Sequence, residues 1–328
     1  MFGNKQTESS IEGDQQKQWQ LIEKMAMSSI QEQRRTRRWG IVFKFLTFAY
    51  LVFILIAFSG KGAMSPQLEN RAEPHTAVVR VHGPIMDEQE AAAGRINHAL
   101  REAFEAEQAK AAILAINSPG GSPVHAGYVY DEIERLRAQN PEKKVYAVIS
   151  DIGASAAYYI ASAADEIYAD KASLVGSIGV ISASFGFDKA MEKLGIERRV
   201  MTAGDNKAFL DPYQPWKAEE KVFWQKSLGI IHQQFIAEVK KGRGDRLVDE
   251  GDVFGGYIWT GEQALEKGLV DGLASVRGVA REQVGEEELV DYTVMASPLE
   301  QLMKQLGGGM ASAFITELKT GWSTAVIQ

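Results

Sequence analysis

The run Ala111-Ala-Ile-Leu-Ala-Ile116 constrains this chain more than any other stretch. An apolar run without alternation describes a strand buried on both faces, as in a parallel sheet covered by helices. It stops at Asn117-Ser-Pro-Gly-Gly-Ser122, a turn, and a helical pattern follows around Tyr128–Ala138. The same order of signals recurs on either side. Ala77-Val-Val-Arg-Val81 ends at His82-Gly-Pro84 and precedes an amphipathic pattern from about Glu88 to Ala106. Val145-Tyr-Ala-Val-Ile149 leads into Gly153-Ala-Ser155 and a helix to about Ala164. Short strands are expected near Glu166–Ala169 and Arg198–Met201, and a long helix over Glu219–Lys240. Thr260-Gly-Glu-Gln263 reads as a capping box opening a helix that Gly268 closes. Such alternation predicts an α/β fold with a mainly parallel sheet and flanking helices.

A second feature lies upstream. Ile41 to Phe58 is an apolar run broken by Lys44; with Trp39 and Gly40 it reaches the ~20 residues that cross a bilayer. Lys44 lies one turn inside the end and can snorkel to the headgroups. Arg34, Arg35, Arg37 and Arg38 crowd the amino side, whereas Lys61 is the nearest basic residue after the run. That asymmetry predicts a single transmembrane anchor with its amino terminus in the cytoplasm and the rest outside. A cleaved signal peptide fits less well, because the preceding segment is long and no Ala-x-Ala site follows Phe58. The expected organisation is a polar cytoplasmic segment (1–38), the anchor (39–58), a stalk (59–76), the α/β domain (77–290) and a tail (291–328). Within the first segment Trp19, Ile22, Ala26 and Ile30 recur at helical spacing, as in a short surface helix. The tail carries Gly307-Gly-Gly309 and an apolar stretch around Met310–Ile315, to which no role is assigned.

Composition narrows the chemistry. A net charge of −7 over 328 residues argues against nucleic acid as the main partner. No cysteine is present, which removes thiol catalysis and cysteine-rich zinc sites. The five histidines lack metal-type spacing such as His-Glu-x-x-His, and no cofactor is called for.

In open α/β sheets the working loops lie at the carboxyl ends of the strands. Asn117–Ser122 and Ile152–Ser155 are both loops of that kind. Ser155, between alanines at a strand-to-helix junction, offers a hydroxyl nucleophile; equally, Ser155 and Ser162 could simply let a helix pack closely. Gly120 or Gly121, with the Ala156 N–H, could form a two-donor oxyanion hole, although Pro-Gly-Gly is most often an ordinary turn. Lys207, in Met201-Thr-Ala-Gly-Asp-Asn-Lys207, is a candidate base. Most loop lysines are solvated, and one acts as a base only where burial or nearby cations strip its proton. Ser177, in Gly176-Ser-Ile-Gly179, could orient that amine or be a turn residue, and His125 remains a second candidate base.

Taken together these motifs resemble the signal peptide peptidase A family of membrane-bound serine proteases. The similarity runs from about Val78 to Gly272 and includes Asn117–Gly121, Gly153–Tyr159, Gly176-Ser-Ile-Gly-Val180, Ala203-Gly-x-x-Lys207 and Gly268-Leu-Val-Asp271. The resemblance implies a ClpP/crotonase-like fold and a Ser/Lys dyad of Ser155 and Lys207. It also implies ring-shaped homo-oligomers whose active sites are shared between subunits, and apolar unfolded peptides as substrates. The family pattern after the serine is Gly-Gly, whereas Ala156-Ala157 stand here. Alanine keeps the N–H but disfavours positive φ. The expected function is therefore a serine endopeptidase of a bacterial inner membrane, its catalytic domain in the periplasm. A crotonase-type acyl-CoA enzyme and a non-catalytic oligomeric scaffold are the alternatives.

Overall fold

Three parallel strands form the centre of the molecule: β1 (His75–His82), β2 (Ala109–Ser118) and β3 (Val145–Ala154). In this computed structural model the described residues are 24, 27, 37–54, 72–87, 89–248 and 251–294. The chain divides into two units, Met1–Ser65 and Pro66–Gln328. In the first, residues 37–54 are helical, with side chains such as Phe45 and Phe53 exposed. Among the described residues no helix is long and apolar enough to cross a membrane. The last four residues of the expected anchor, all four residues of the Trp19–Ile30 pattern and the tail from residue 295 onward lie outside the described residues.

In the second unit, α1 (Ala93–Glu105) follows β1, α2 (Pro123–Gln139) follows β2, and α3 (Ala156–Ala161) follows β3. Then come β4 (Glu166–Ala169), β5 (Leu174–Gly176), α4 (Asp188–Lys193) and the long α5 (Ala218–Arg243). The unit closes with β6 (Ile258–Thr260), α6 (Gly261–Glu266), β7 (Gly272–Leu273), α7 (Val276–Val279) and β8 (Leu289–Asp291). Strand order is β6-β5-β3-β2-β1-β8, parallel throughout except for β5 with β6. The expected α/β class, with a mainly parallel sheet and flanking helices, is what forms.

The apolar runs explain the layers. Alternate residues of one strand point to opposite faces. Ala112, Leu114 and Ile116 join the larger core with α1, α2 and α3, while Ala111 and Ile113 join a second cluster with Tyr146, Val148 and Val279. Both faces are dry, so the sequence cannot alternate. Each such Leu or Ile contributes roughly 1.5–3 kcal/mol relative to exposure.

β3 forks. Its first half pairs with β4 and its last residues, Ile152–Ala154, pair with β5. Buried Ser173 stitches the fork: its hydroxyl donates to the Ile149 carbonyl (3.1 Å) and accepts from the Asp170 N–H (2.9 Å). The strand is therefore longer than the apolar run that announces it, reaching the residue before Ser155. The expected strand at Arg198–Met201 does not form. The β5 edge it would need is occupied by β6, and residues 198–201 are exposed without a ladder partner. Thr260 caps α6 as expected, accepting from the Gln263 N–H (3.3 Å), and Gly268 follows the helix at φ 75°.

A buried ion pair holds α5 against the sheet. Arg243, 1% exposed, donates to both Asp271 oxygens (2.6 and 2.9 Å) and to the Gly268 carbonyl (2.9 Å). Asp271 also accepts the Ile167 N–H of β4 (2.7 Å). Burial raises the Asp271 carboxyl, but the hydrogen bonds and charge of Arg243 outweigh it and hold the group below the usual carboxylate range. A carboxyl depressed on folding stabilises the protein above its unfolded value, ~4, and ceases to do so as pH falls through the folded value. Removing the charge strands a buried guanidinium. Asp271→Asn is expected to lower unfolding free energy by about 3–5 kcal/mol at neutral pH. Urea titrations should show that difference shrinking as pH falls below ~4.

Candidate active site

The geometry of Ser155 follows from the fork in β3. Ala154 pairs with Gly176, and the Ser155 N–H donates to the Gly176 carbonyl (2.8 Å) as the chain turns into α3. That turn puts Ser155 at φ 53° and ψ −123°. Such a conformation costs a non-glycine residue roughly 1–3 kcal/mol and persists only when the surroundings impose it. Here a strand bond fixes one side and a helix the other. Ser177, one residue past the end of β5, is also left-handed, at φ 50°. The ends of two paired strands thus set two strained serines near each other.

The glycine turn packs onto this corner. The Ile85 N–H donates to the Gly120 carbonyl (2.9 Å) and the Ser122 N–H to the Ile85 carbonyl (2.8 Å), a short parallel bridge that pins the turn. Gly120 has φ 103°, and a Cβ there would lie 2.8 Å from both the Ala154 carbonyl oxygen and Ser155 Cβ. Only glycine permits that approach. The Gly120 N–H is taken by the buried Ser118 hydroxyl (3.2 Å). The N–H groups of Gly121 and Ala156 meet no acceptor among the described residues; Ala156 opens α3, where helical N–H groups lack intrahelical partners. Ser155 Oγ is likewise without a hydrogen bond among the described residues. The structure therefore brings Gly120, Gly121, Ser155 and Ala156 together, with Ser177 adjoining.

A cleft of about 140 Å³ opens beside Ser155. Gly121, Ala156 and Tyr159 line its inner end, Gly179, Val180 and Ile181 one wall, and Ile231, Gln234 and Phe235 of α5 the other. Sequence reasoning missed these α5 residues. Their spacing on one helix face was readable, but nothing local says that the face reaches Ser155. Tyr159 packs tilted against Phe235 (5.0 Å) and edge-on to Tyr130 (5.4 Å). Burial, then the charges of Glu238 and Asp131, push its hydroxyl up to about 12, so it keeps its proton at neutral pH and is no base there.

Lys207 is elsewhere. It sits in an exposed turn, its N–H donating to the Gly204 carbonyl (3.1 Å); it does not line the cleft, and no hydrogen bond joins it to Ser155. It belongs to an arm between β5 and α5 that leaves Ile181 (88%), Phe185 (80%) and Met201 (101%) exposed. His125 is engaged otherwise, its Nδ1 accepting the Ala93 N–H (3.4 Å) at the start of α1. No group of His, Asp and Glu able to hold a metal occurs among the described residues.

The model of peptidase family S49 matches residues 137–289, which hold Ser155, Ser177 and Lys207. The putative protease slr0021 of a Synechocystis strain is 31% identical over 209 residues, covering 62% of this chain and 74% of that protein. The chain belongs to peptidase family S49. The chloroplastic serine protease SPPA of Arabidopsis thaliana is 30% identical over 244 residues, 71% of this chain and 36% of that protein. A Brucella abortus protein named Na(+)/H(+) antiporter NhaA is 43% identical over 228 residues, 68% of this chain and 31% of that protein. The chain thus spans about a third of the length of these last two relatives.

If Gly120 must lack a side chain for the corner to form, Gly120→Ala should displace Ser155. A loss of roughly 1–3 kcal/mol in stability is expected, together with loss of Ser155 reactivity towards a small acylating or phosphonylating probe. Retention of both in a melting and labelling assay would mean that the turn can move aside.

Proposed function

We propose that this chain is a membrane-anchored serine endopeptidase with Ser155 as nucleophile and Lys207 as base. The observation that carries the reading is the packing of Gly120 on Ser155, which sets the unpartnered N–H groups of Gly121 and Ala156 beside a strained, unbonded serine hydroxyl. Strain of this kind concentrates at sites where the chain must present a group in a fixed direction.

In this mechanism the neutral Lys207 amine accepts the Ser155 proton as Oγ attacks the scissile carbonyl. The N–H groups of Gly121 and Ala156 hold the oxyanion, with Gly120 keeping the turn in place. Lys207 then returns the proton to the leaving amine, an acyl-enzyme remains on Ser155, and Lys207 activates the hydrolytic water. Ser177, beside the nucleophile, would orient the amine. No metal or cofactor takes part in this scheme.

Because Lys207 lies outside the cleft of its own chain, the arm is read as delivering it to a neighbouring copy. The exposed Ile181, Phe185 and Met201 support that reading, since such apolar surface is normally covered by a partner. The assembly in this reading is a ring-shaped homo-oligomer of ClpP/crotonase-like subunits. The apolar cleft suits unfolded apolar segments, such as remnant signal peptides or pieces of membrane proteins. The arginine cluster before residue 39 and the exposed aromatic helix over 37–54 support anchoring in a bacterial inner membrane, with the catalytic domain in the periplasm.

Mass spectrometry of the detergent-solubilised chain after fluorophosphonate treatment tests the chemistry. A single adduct on Ser155 is expected, slowed about 100-fold or more in Lys207→Ala. Labelling that ignores Lys207→Ala would assign the base elsewhere, and no adduct from the assembled oligomer would overturn the peptidase reading. Shared sites make a second prediction: Ser155→Ala and Lys207→Ala chains, each inactive alone, should regain peptide cleavage when co-assembled.

A further inference from the structure

We propose that His232 is a positioning residue that sets the width of the cleft beside Ser155 and so the size of side chain accepted there. The inference rests on the peptidase reading of that cleft. His232 lies on α5 between Ile231 and the other helix residues of one wall, and its Nε2 is 3.0 Å from the Ile178 carbonyl oxygen. A carbonyl only accepts, so Nε2 carries the hydrogen and donates it. Ile178 is fully buried, and the two residues after Gly179, Val180 and Ile181, form the facing wall. The bond therefore joins the two walls directly.

Residues 178–181 form a strap leading into the arm, and farther along the arm Phe209 packs edge-on against Phe223 (5.6 Å) and Trp224 (5.8 Å) of α5. Upstream, the strap is anchored by the Ser177 N–H donating to the Tyr257 carbonyl (2.7 Å). Beyond it, no hydrogen bond holds Val180 or Ile181 among the described residues, and the chain continues into the exposed arm. On the helix side, the buried residues of α5 begin only at Phe235, so the seventeen residues from Ala218 to Gln234 include none that the core holds. His232 is the point where this loosely held part of α5 grips the strap. With the bond made, Val180 and Ile181 stay close to Phe235 and a bulky side chain is disfavoured. With it lost, Val180 and Ile181 are free to shift outward while Phe209 still holds the arm to α5.

The test compares full-length His232→Ala and His232→Gln chains on peptides that differ only in Ala or Phe before the scissile bond. The Phe-over-Ala ratio of kcat/KM is expected to rise about tenfold in His232→Ala, with fluorophosphonate labelling of Ser155 unchanged. His232→Gln, which keeps an N–H donor of similar reach, should restore the original ratio. An unchanged ratio in His232→Ala, or equal losses on both peptides in both variants, would overturn the proposal. Hydrogen exchange reads the same bond without catalysis: the Ser177 amide, which precedes Ile178 and donates to the Tyr257 carbonyl, should exchange faster in His232→Ala than in the unsubstituted chain or His232→Gln. Unaltered exchange also overturns it. Faster exchange in a chain whose Ser155 never labels would support the bond's hold on the wall and reject the peptidase reading.

Discussion

The Arg243–Asp271 pair is the interaction on which the arrangement of the second unit turns. Arg243 is 1% exposed and cannot be left without its carboxylate. Asp271 in turn accepts from β4 through the Ile167 N–H and follows the Gly268 turn that ends α6. One ion pair thus joins the long helix, the sheet and the carboxy-terminal segment. It works together with Gly242, where a Cβ would fall 1.9 Å from the Ser162 carbonyl oxygen, so that α5 rests backbone-to-backbone on the residue ending α3. The helix that carries half the cleft wall is therefore registered against the helix that begins at Ser155. Tyr158, fully buried, adds a hydroxyl bond to the Leu269 carbonyl (2.6 Å) from the same place.

Strain at Ser155 is sustained by that framework. The pairing of Ala154 with Gly176 leaves the serine N–H no other direction, and α3 follows at once. Gly120 and Gly176 are both glycines at positive φ; a Cβ at Gly120 would collide with the Ser155 corner, and one at Gly176 would press on Trp259 (3.1 Å). Two N–H groups without a protein acceptor beside one hydroxyl are useful where charge develops on a substrate.

Much of this was legible in the chain. The apolar runs at Ala111–Ile116 and Val145–Ile149 announced buried parallel strands because neither face of the sheet reaches water. Thr260, Gln263 and Gly268 announced a capped helix because capping is chemistry among near neighbours. The turns Asn117–Ser122 and Ile152–Ser155 were readable as neighbours because loops at the carboxyl ends of adjacent parallel strands share one edge. Less legible were the elements whose form depends on partners. A β-rich pattern at Arg198–Met201 stayed out of the sheet, with the edge of β5 taken by β6. Asp271, conspicuous only as part of a motif, proved to neutralise an arginine far from it in sequence.

By itself the sequence determined the fold class, the alternation of strands and helices from β1 to β4, and the residue types available at each loop, since periodicity and capping act over a few residues. Tertiary structure alone decided which backbone N–H groups are free beside Ser155, that α5 supplies the opposite wall of the cleft, and that Lys207 lies outside its own chain's cleft. Each of these depends on how segments distant along the chain meet: glycines without a Cβ, a buried ion pair, and an arm whose apolar side chains find no cover among the described residues.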